Sequence, residues 1–403
     1  MRTAATRYWP SRIQPGPEPV TAASEGPAGG GLRIGVLGGG QLGRMLGLAG
    51  LPLGFEFLFL DPAADACAGS TGRLLQAAFD DEAGARALAE QVDVATFDFE
   101  NVPASSARAV QAVCPLYPGP RALAAGQDRL AEKDLVAGLG ARLAPYRGVD
   151  SRTALLEALD RVGYPAVLKT RRFGYDGKGQ AILRDPEDLE RAWQRLGDSP
   201  LVLEAFVAFD AECSLCGVRG RDGATRFWPL TRNVHDDGIL ALSLPGVFNG
   251  GLQAEAERIM TRLMDELDYV GVLTIEFFLA RGELLVNEFA PRVHNSAHWT
   301  IDGADCSQFE NHLRAIAGLP LGTTELTRPS LMFNWIGGLP ALSEALAVAG
   351  LHWHDYGKQA RPGRKVGHAT LTASSPDELR PRAERLAAIA GGRFPALLET
   401  LFD

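Results

Sequence analysis

Two glutamates, Glu276 and Glu288, are the residues of this chain whose types and spacing point most directly to chemistry. They lie in the run Val272-Leu-Thr-Ile-Glu-Phe-Phe-Leu-Ala-Arg-Gly-Glu-Leu-Leu-Val-Asn-Glu-Phe289, which reads as two strands joined at Arg281-Gly282. A three-residue turn would set Glu276 opposite Glu288 on one face of the hairpin. A two-residue turn would set Asn287 there instead. Facing carboxylates are unfavourable unless a cation lies between them. With the Asn287 amide oxygen close by, the pair makes a hard-oxygen set suited to Mg²⁺ shared with phosphates. The competing reading is an acid pair with a purely structural role.

A second constellation supplies the phosphates with partners. Ala166-Val-Leu168 reads as a short strand that delivers Lys169, followed by Thr170-Arg-Arg-Phe-Gly-Tyr-Asp-Gly-Lys-Gly-Gln180. Gly174, Gly177 and Gly179 let the backbone expose N–H groups, and Lys169, Arg171, Arg172 and Lys178 surround them with positive charge. The loop is not a Walker A motif, because no Gly-Lys-Ser/Thr follows. It does not open a helix either, since Gln180-Ala-Ile-Leu183 continues as strand. The spacing fits a strand lysine beneath a glycine lid over a nucleoside triphosphate; the plainer alternative is a basic hairpin tip.

Other groups converge on the same chemistry. Arg292, His294 and Asn295 directly follow the hairpin and are placed to form an anion or substrate cradle, whereas His298 and Trp299 read as packing. Arg129 and Lys133, four apart, share a helix face, for which surface charge is the default explanation. Glu204 interrupts the apolar run Leu201–Val207, and a buried strand acid needs a partner. Lys358, Arg361, Arg364 and Lys365 crowd one glycine-containing loop of an acidic protein. They read as a phosphate-monoester subsite or as a solvated loop.

The elements that position these groups begin at Leu32-Arg-Ile-Gly-Val-Leu37, a buried strand. Gly38-Gly-Gly-Gln-Leu-Gly-Arg-Met-Leu46 then turns into a helix whose N–H groups are expected to be available to an anion. Asp61 ends the second strand, where a dinucleotide enzyme keeps its ribose acid, so a nicotinamide-dependent dehydrogenase is a rival reading. Glu100 follows a further strand, at the carboxyl edge where open α/β sheets bind ligands. Residues 1–31, rich in Pro, Ala and Gly, read as a disordered extension without a secretory signal.

Composition bounds the rest. The chain has 403 residues, 46% hydrophobic and 22% charged, with a net charge of −9, which argues against a broad nucleic-acid footprint. No apolar run has transmembrane length. Five scattered cysteines point to a reducing compartment, hence the cytoplasm. Cys213 and Cys216 are three apart on a strand, facing opposite ways, and read as core residues rather than zinc ligands.

In order along the chain, Gly38-Gly-Gly-Gln-Leu-Gly-Arg-Met45, Phe99-Glu-Asn-Val-Pro103, Lys169 to Gln180, Asn287-Glu-Phe-Ala-Pro-Arg-Val-His-Asn-Ser296 and Arg361-Pro-Gly-Arg-Lys-Val-Gly-His368 resemble the ATP-grasp superfamily, and within it the N5-carboxyaminoimidazole ribonucleotide synthetases of purine biosynthesis. The resemblance implies an α/β and α+β architecture in three parts. A Rossmann-like pre-ATP-grasp domain covers 32–125, an ATP-grasp domain 126–320 with a lid lobe near 150–205, and a small C-terminal β-rich module 321–403.

The resemblance also implies roles for residues. Arg129, Lys133 and Lys169 become nucleotide-site residues under a lid of Gly174, Tyr175, Asp176, Gly177, Lys178, Gly179 and Gln180. Glu204, Ala205, Phe206, Val207, Glu212 and His235 become adenosine-side or hinge contacts. Glu276 and Glu288 become Mg²⁺ ligands, with Asn287 beside them. Arg292, His294 and Asn295 become the bicarbonate and carboxyphosphate site, Lys169 is catalytic by offsetting the β-side phosphate charge, and Gln41, Glu100, Lys358, Arg364 and Lys365 hold 5-aminoimidazole ribonucleotide. The expected enzyme is an ATP-dependent carbon–nitrogen ligase and homodimer, with ATP, bicarbonate and the ribonucleotide as small-molecule partners and neither nucleic acid nor membrane. Another ATP-grasp ligase, such as a formate-dependent glycinamide ribonucleotide transformylase, is the nearest alternative. The chain departs from the family pattern at Phe173, where a small lid residue is expected, and at Ala297, where a glycine is.

Overall fold

The computed structural model describes residues 31–174 and 179–402. Four strands, β1 (Arg33–Leu37), β2 (Glu56–Asp61), β3 (Arg73–Gln76) and β4 (Val94–Phe97), form a parallel sheet in the order β3-β2-β1-β4. Residues Ile34–Leu37 and Val94–Phe97 are buried without a break, as strands covered on both faces require. The carboxyl ends of β1, β2 and β4 share one edge. Gly38–Gly40, Asp61 and Asp98–Glu100 therefore gather there.

A second sheet is antiparallel and small. It comprises β5 (Tyr146–Val149), β6 (Ala166–Thr170), β7 (Gln180–Leu183) and β8 (Leu201–Ala205), ordered β5-β8-β6-β7. Helices Arg152–Val162 and Asp188–Leu196 pack on it through Leu155, Leu159, Leu189 and Leu196 against Leu168 and Leu203. Lys169 pairs with Val202, so Glu204, two residues on, is its diagonal neighbour on the same face.

The remaining strands build one nine-stranded sheet. They are β9 (Ala211–Arg219), β10 (Thr225–Phe227), β11 (Thr231–Asp236), β12 (Ile239–Pro245), β13 (Gly271–Ala280), β14 (Glu283–Ala290), β15 (Ser330–Ile336), β16 (Leu351–Asp355) and β17 (Lys365–Thr372). The order is β14-β13-β9-β11-β12-β15-β17-β16, with β10 on β9. Pairing of β12 with β15 makes the C-terminal strands a continuation of the central sheet. Helices Pro376–Ala390 and Phe394–Phe402 cover that extension through Leu379, Leu386, Leu398 and Leu401.

Cys213 packs with Leu215 and Met260, while Cys216 packs with Val218 and Trp228. The two thiols thus face opposite sides of β9 as strand geometry demands, and all five cysteines are free. Among the described residues, no helix is long and apolar enough to cross a membrane.

Candidate active site

The hairpin carrying the two glutamates combines both turn alternatives. Ala280 pairs with Glu283, leaving the two-residue turn Arg281-Gly282 with φ of 54° and 80°, the twist that suits a tight hairpin. Such a turn by itself would have put Asn287 opposite Glu276. A bulge between Glu276 and Phe277 inserts Asn287 as the extra residue, since Phe277 pairs with Val286 while Glu276 pairs with Glu288. The carboxylates consequently face each other across one register pair.

They lie at the floor of a cleft of about 660 Å³ whose wall includes Lys169, Arg129, Arg292, His294, Asn295, His235 and Lys365. Arg129 Nη1 meets Glu288 Oε2 at 2.5 Å, and His294 Nε2 meets Glu276 Oε1 at 3.1 Å. Burial pushes both carboxyls up. For Glu288 this is outweighed by Arg129, Lys169 and Lys133, which bring it down to about 2. For Glu276 the hydrogen bond from His294 leads the effects that outweigh it and leave the group lowered. Both are therefore anionic acceptors at neutral pH.

The donor set fits Mg²⁺. Asn287 Oδ1 is buried beside the pair with no protein partner. Among the described residues no group of three or more His, Cys, Asp or Glu is arranged to hold a metal alone. That is the expected arrangement where substrate phosphates complete the shell.

Lys133 is only 2% exposed, which excludes the default explanation of surface charge for the Arg129/Lys133 pair. Its Nζ donates to the Asn287 carbonyl at 3.1 Å and meets Glu204 Oε2 at 3.1 Å; Lys169 meets the same oxygen at 3.1 Å. Burial, more than any other effect, lowers the Lys169 pKa. Glu204 Oε1 is buried with no partner, an acceptor left for a ligand. Glu212 Oε2 contacts His235 Nδ1 at 2.8 Å, which outweighs burial and raises the imidazole pKa. Both line the cleft. Ala205 and Phe206 engage their N–H groups with the Pro145 and Pro165 carbonyls, at 2.8 and 3.0 Å. Val207 follows them in the exit from β8.

On the opposite wall, Arg292 forms an ion pair with Glu100, and each lowers the cost of burying the other. Gln127 Nε2 steadies that loop by donating to the Glu100 and Val102 carbonyls at 2.8 and 2.7 Å. Lys358 donates to Gln41, joining residues 317 positions apart. Arg364 Nη1 donates to Gln359 O at 3.2 Å on its own loop. Of the lid, Gly174 and Gln180 line the cleft, and Gly179 has φ of 73°. Tyr175, Asp176, Gly177 and Lys178 lie outside the described residues. Phe173, at φ of 61° and 72% exposed, occupies the left-handed region. That conformation accounts for the expectation of a small residue at this position.

One expectation is corrected. Two of the N–H groups at the opening of the helix Gln41–Gly50, those of Gly40 and Gly43, are taken by a carboxylate of the protein and are not available to an outside anion. Gly40 and Gly43 both donate to Asp98 Oδ2, at 2.8 and 3.0 Å, and Gly39 donates to Asp61 Oδ2 at 2.8 Å. Gly38 is held at φ of 115°, and a Cβ there would meet Asp98 Oδ1 at 1.5 Å. Asp61 Oδ1 also accepts the Ala63 N–H at 2.9 Å, so both oxygens of the expected ribose acid are engaged within the protein, which removes the basis of the dehydrogenase reading. Sequence reasoning passed over Asp98, and also Glu132. The latter accepts Phe289 N–H, and burial followed by the Glu288 charge pushes it up to about 8. A polar residue interrupting the apolar side of its helix was the one available sign.

Fold and cleft together are those of an ATP-grasp ligase. Residues 134–309 match the ATP-grasp domain, 32–127 the ribonucleotide synthetase preATP-grasp domain, and 330–382 the phosphoribosylaminoimidazole carboxylase C-terminal domain. The N5-carboxyaminoimidazole ribonucleotide synthase of Pseudomonas aeruginosa is 51% identical over 358 residues, covering 89% of this chain and 99% of that one. The crystal structure of the synthetase from Thermus thermophilus superposes with a TM-score of 0.86 at 51% identity, covering 89% of this chain and 99% of that one. The Aspergillus clavatus synthase, solved in complex with ADP and 5-aminoimidazole ribonucleotide, superposes with a TM-score of 0.83 at 29% identity, covering 89% and 98%. The chain belongs to the N5-carboxyaminoimidazole ribonucleotide synthase family.

Proposed function

We propose that this enzyme uses ATP to carboxylate 5-aminoimidazole ribonucleotide with bicarbonate, giving N5-carboxyaminoimidazole ribonucleotide, ADP and phosphate in purine biosynthesis. The observation that carries this reading is the register pair Glu276–Glu288 at the floor of a cleft with Lys169 and Arg129 on one side and Arg292 and Glu100 on the other.

A bicarbonate oxygen attacks the γ-phosphorus, the bond to the β-bridging oxygen breaks, and ADP leaves, giving carboxyphosphate. The N5 amine then takes the carboxyl group, either directly as the C–O bond to phosphate breaks or through CO₂ released from carboxyphosphate in the closed site, and the amine proton passes to the released phosphate. Glu276 and Glu288 would hold Mg²⁺, which when bound neutralises phosphate charge. Lys169, Lys133 and Arg129 offset the charge of the triphosphate from the protein side. Arg292 orients bicarbonate, contributing position more than polarity. His294 and Asn295, whose amide atoms are buried with no protein partner, offer hydrogen bonds to the same anion. Gln41, Glu100, Lys358, Arg364 and Lys365 hold the ribonucleotide, and Glu212 and His235 flank the adenosine. The closed lid excludes the water that would hydrolyse carboxyphosphate.

The reading extends to a homodimer in the cytoplasm, which light scattering on the purified chain and fractionation of cells check. The decisive experiment is ADP release with ATP, Mg²⁺ and bicarbonate, with and without aminoimidazole ribonucleotide. Turnover stimulated by that ribonucleotide is expected. Turnover that instead needs formate and glycinamide ribonucleotide would transfer the chain to the transformylase reading.

A further inference from the structure

A chain of buried side chains runs from the middle of the large sheet to His294. Ser243 Oγ on β12 donates to Asn233 Oδ1 on β11 at 2.8 Å, and Asn233 Nδ2 donates to Ser214 Oγ on β9 at 2.9 Å. Ser214 Oγ donates to Ser296 Oγ at 2.8 Å, and Ser296 Oγ lies 2.9 Å from His294 Nδ1. These four residues are at most 5% exposed. Buried polar groups linked across three strands of the sheet carry a desolvation cost that packing alone does not require.

The sense of the chain is fixed at its far end. Ser296 N–H also points at His294 Nδ1, at 3.3 Å, and a backbone N–H cannot become an acceptor. With the Ser296 hydroxyl and N–H both aimed at it, His294 Nδ1 carries the lone pair, and the ring meets Glu276 Oε1 with its Nε2–H, at 3.1 Å. Each hydroxyl has one hydrogen, so this choice propagates backwards. Ser296 turns its hydrogen to the ring, Ser214 turns its own to Ser296, and Asn233 must present its amide nitrogen to Ser214. Ser243 closes the series by satisfying the Asn233 oxygen. Gln308, fully buried, grips the same histidine by its main chain, accepting His294 N–H at 2.8 Å and donating to His294 O at 2.7 Å.

We infer that Ser243, Asn233 and Ser214 are positioning residues for the carboxylation reaction, a one-way hydrogen-bond series that holds His294 as an Nε2–H donor toward Glu276 and the bicarbonate site. The inference rests on the reading of His294 given above. In this tautomer the ring offers a hydrogen to an anion and no lone pair to the cleft, so it stabilises anionic oxygen and does not abstract the amine proton.

The test is Asn233→Asp in the full chain. An aspartate accepts from Ser243 and Ser214 alike, so Ser214 turns its hydrogen away and Ser296 follows, turning the Ser296 hydroxyl at 2.9 Å into an acceptor for an Nδ1–H and leaving only the longer Ser296 N–H contact at 3.3 Å to favour the lone pair. The chain has seven histidines, and a nitrogen-15 ring spectrum of histidine-labelled protein, assigned by difference with His294→Ala, reads the tautomer directly. Wild type is expected to show the Nε2–H form. Asn233→Asp is expected to lose that form and to lower kcat by roughly 10–100-fold, the range seen when groups supporting a site ligand are removed, with the KM for ATP unchanged. If Asn233→Asp does not fold, Ser214→Ala, which removes one buried oxygen, takes its place with the same two readouts. An Nδ1–H ring in wild type, or an unaltered ring and kcat in the folded variant, overturns the inference. Full turnover in His294→Ala would instead remove the assignment of His294 itself.

Discussion

Replacing Glu204 by glutamine should weaken the lid lobe and, at the same time, increase its response to nucleotide. Glu204 Oε2 is the shared counter-charge of Lys133 and Lys169, each at 3.1 Å, with side-chain exposures of 5%, 2% and 11%. At an effective dielectric of about 20, each contact is worth roughly 5 kcal/mol of Coulomb attraction before desolvation. Burial of three charges and repulsion between the ammonium groups offset much of it. Removing one partner of a buried pair generally costs about 3–5 kcal/mol, because the remaining charge is left uncompensated. Burial raises the Glu204 carboxyl, but Lys169 and Lys133 outweigh it and hold the group below 4.5. Its stabilisation is accordingly complete above that value and is lost as pH falls through the depressed pKa.

Native-state hydrogen exchange on the amides of β6 and β8 reads the local opening free energy without requiring all parts of the chain to unfold together. Near neutral pH, Glu204→Gln is expected to lose about 3–5 kcal/mol of protection there. A non-hydrolysable ATP analogue should restore more protection in the variant than in wild type, because its phosphates replace the missing carboxylate beside Lys169. A loss below about 1 kcal/mol, the scale of an exposed pair, would refute the reasoning. So would equal restoration in both proteins.

Three further outcomes follow from the site. Glu288→Gln should abolish ATP turnover; near-normal ADP release from this variant would count against the metal assignment. Lys358→Ala should raise the KM for the ribonucleotide with little change in that for ATP, and an unaltered ribonucleotide KM removes Lys358 from that subsite. Burial, opposed by the Gly43 and Gly40 N–H groups, raises Asp98 from 3.8 to about 6. The folded state then binds this proton more tightly, so its contribution to stability is greatest below 3.8 and declines by ~3 kcal/mol as pH rises through about 6. Asp98→Asn should flatten that part of the pH–stability profile measured by urea unfolding; an unchanged slope would show that Asp98 does not titrate there.

The primary sequence alone was sufficient to single out Glu276, Glu288, Lys169 and Arg292, which line one cleft, because each sits in a short motif whose spacing limits where its side chain can point. It also sufficed for the strand–glycine turn–helix at Leu32–Leu46, whose alternation of apolar run and glycine is a local property. Tertiary structure decided what depends on residues distant in the chain. Whether Asn287 or Glu288 faces Glu276 hung on one bulge, which the hairpin sequence left open. That Asp98 accepts the Gly40 and Gly43 N–H groups at the helix start, and that Lys133 is buried against Glu204, are settled by packing between segments far apart in the chain. Meetings such as Gln41 with Lys358, or Ser243 with His294 through three strands, exist only once the sheet has assembled. Pairing of separated strands is a collective outcome of burying many apolar faces at once, and no local pattern encodes it.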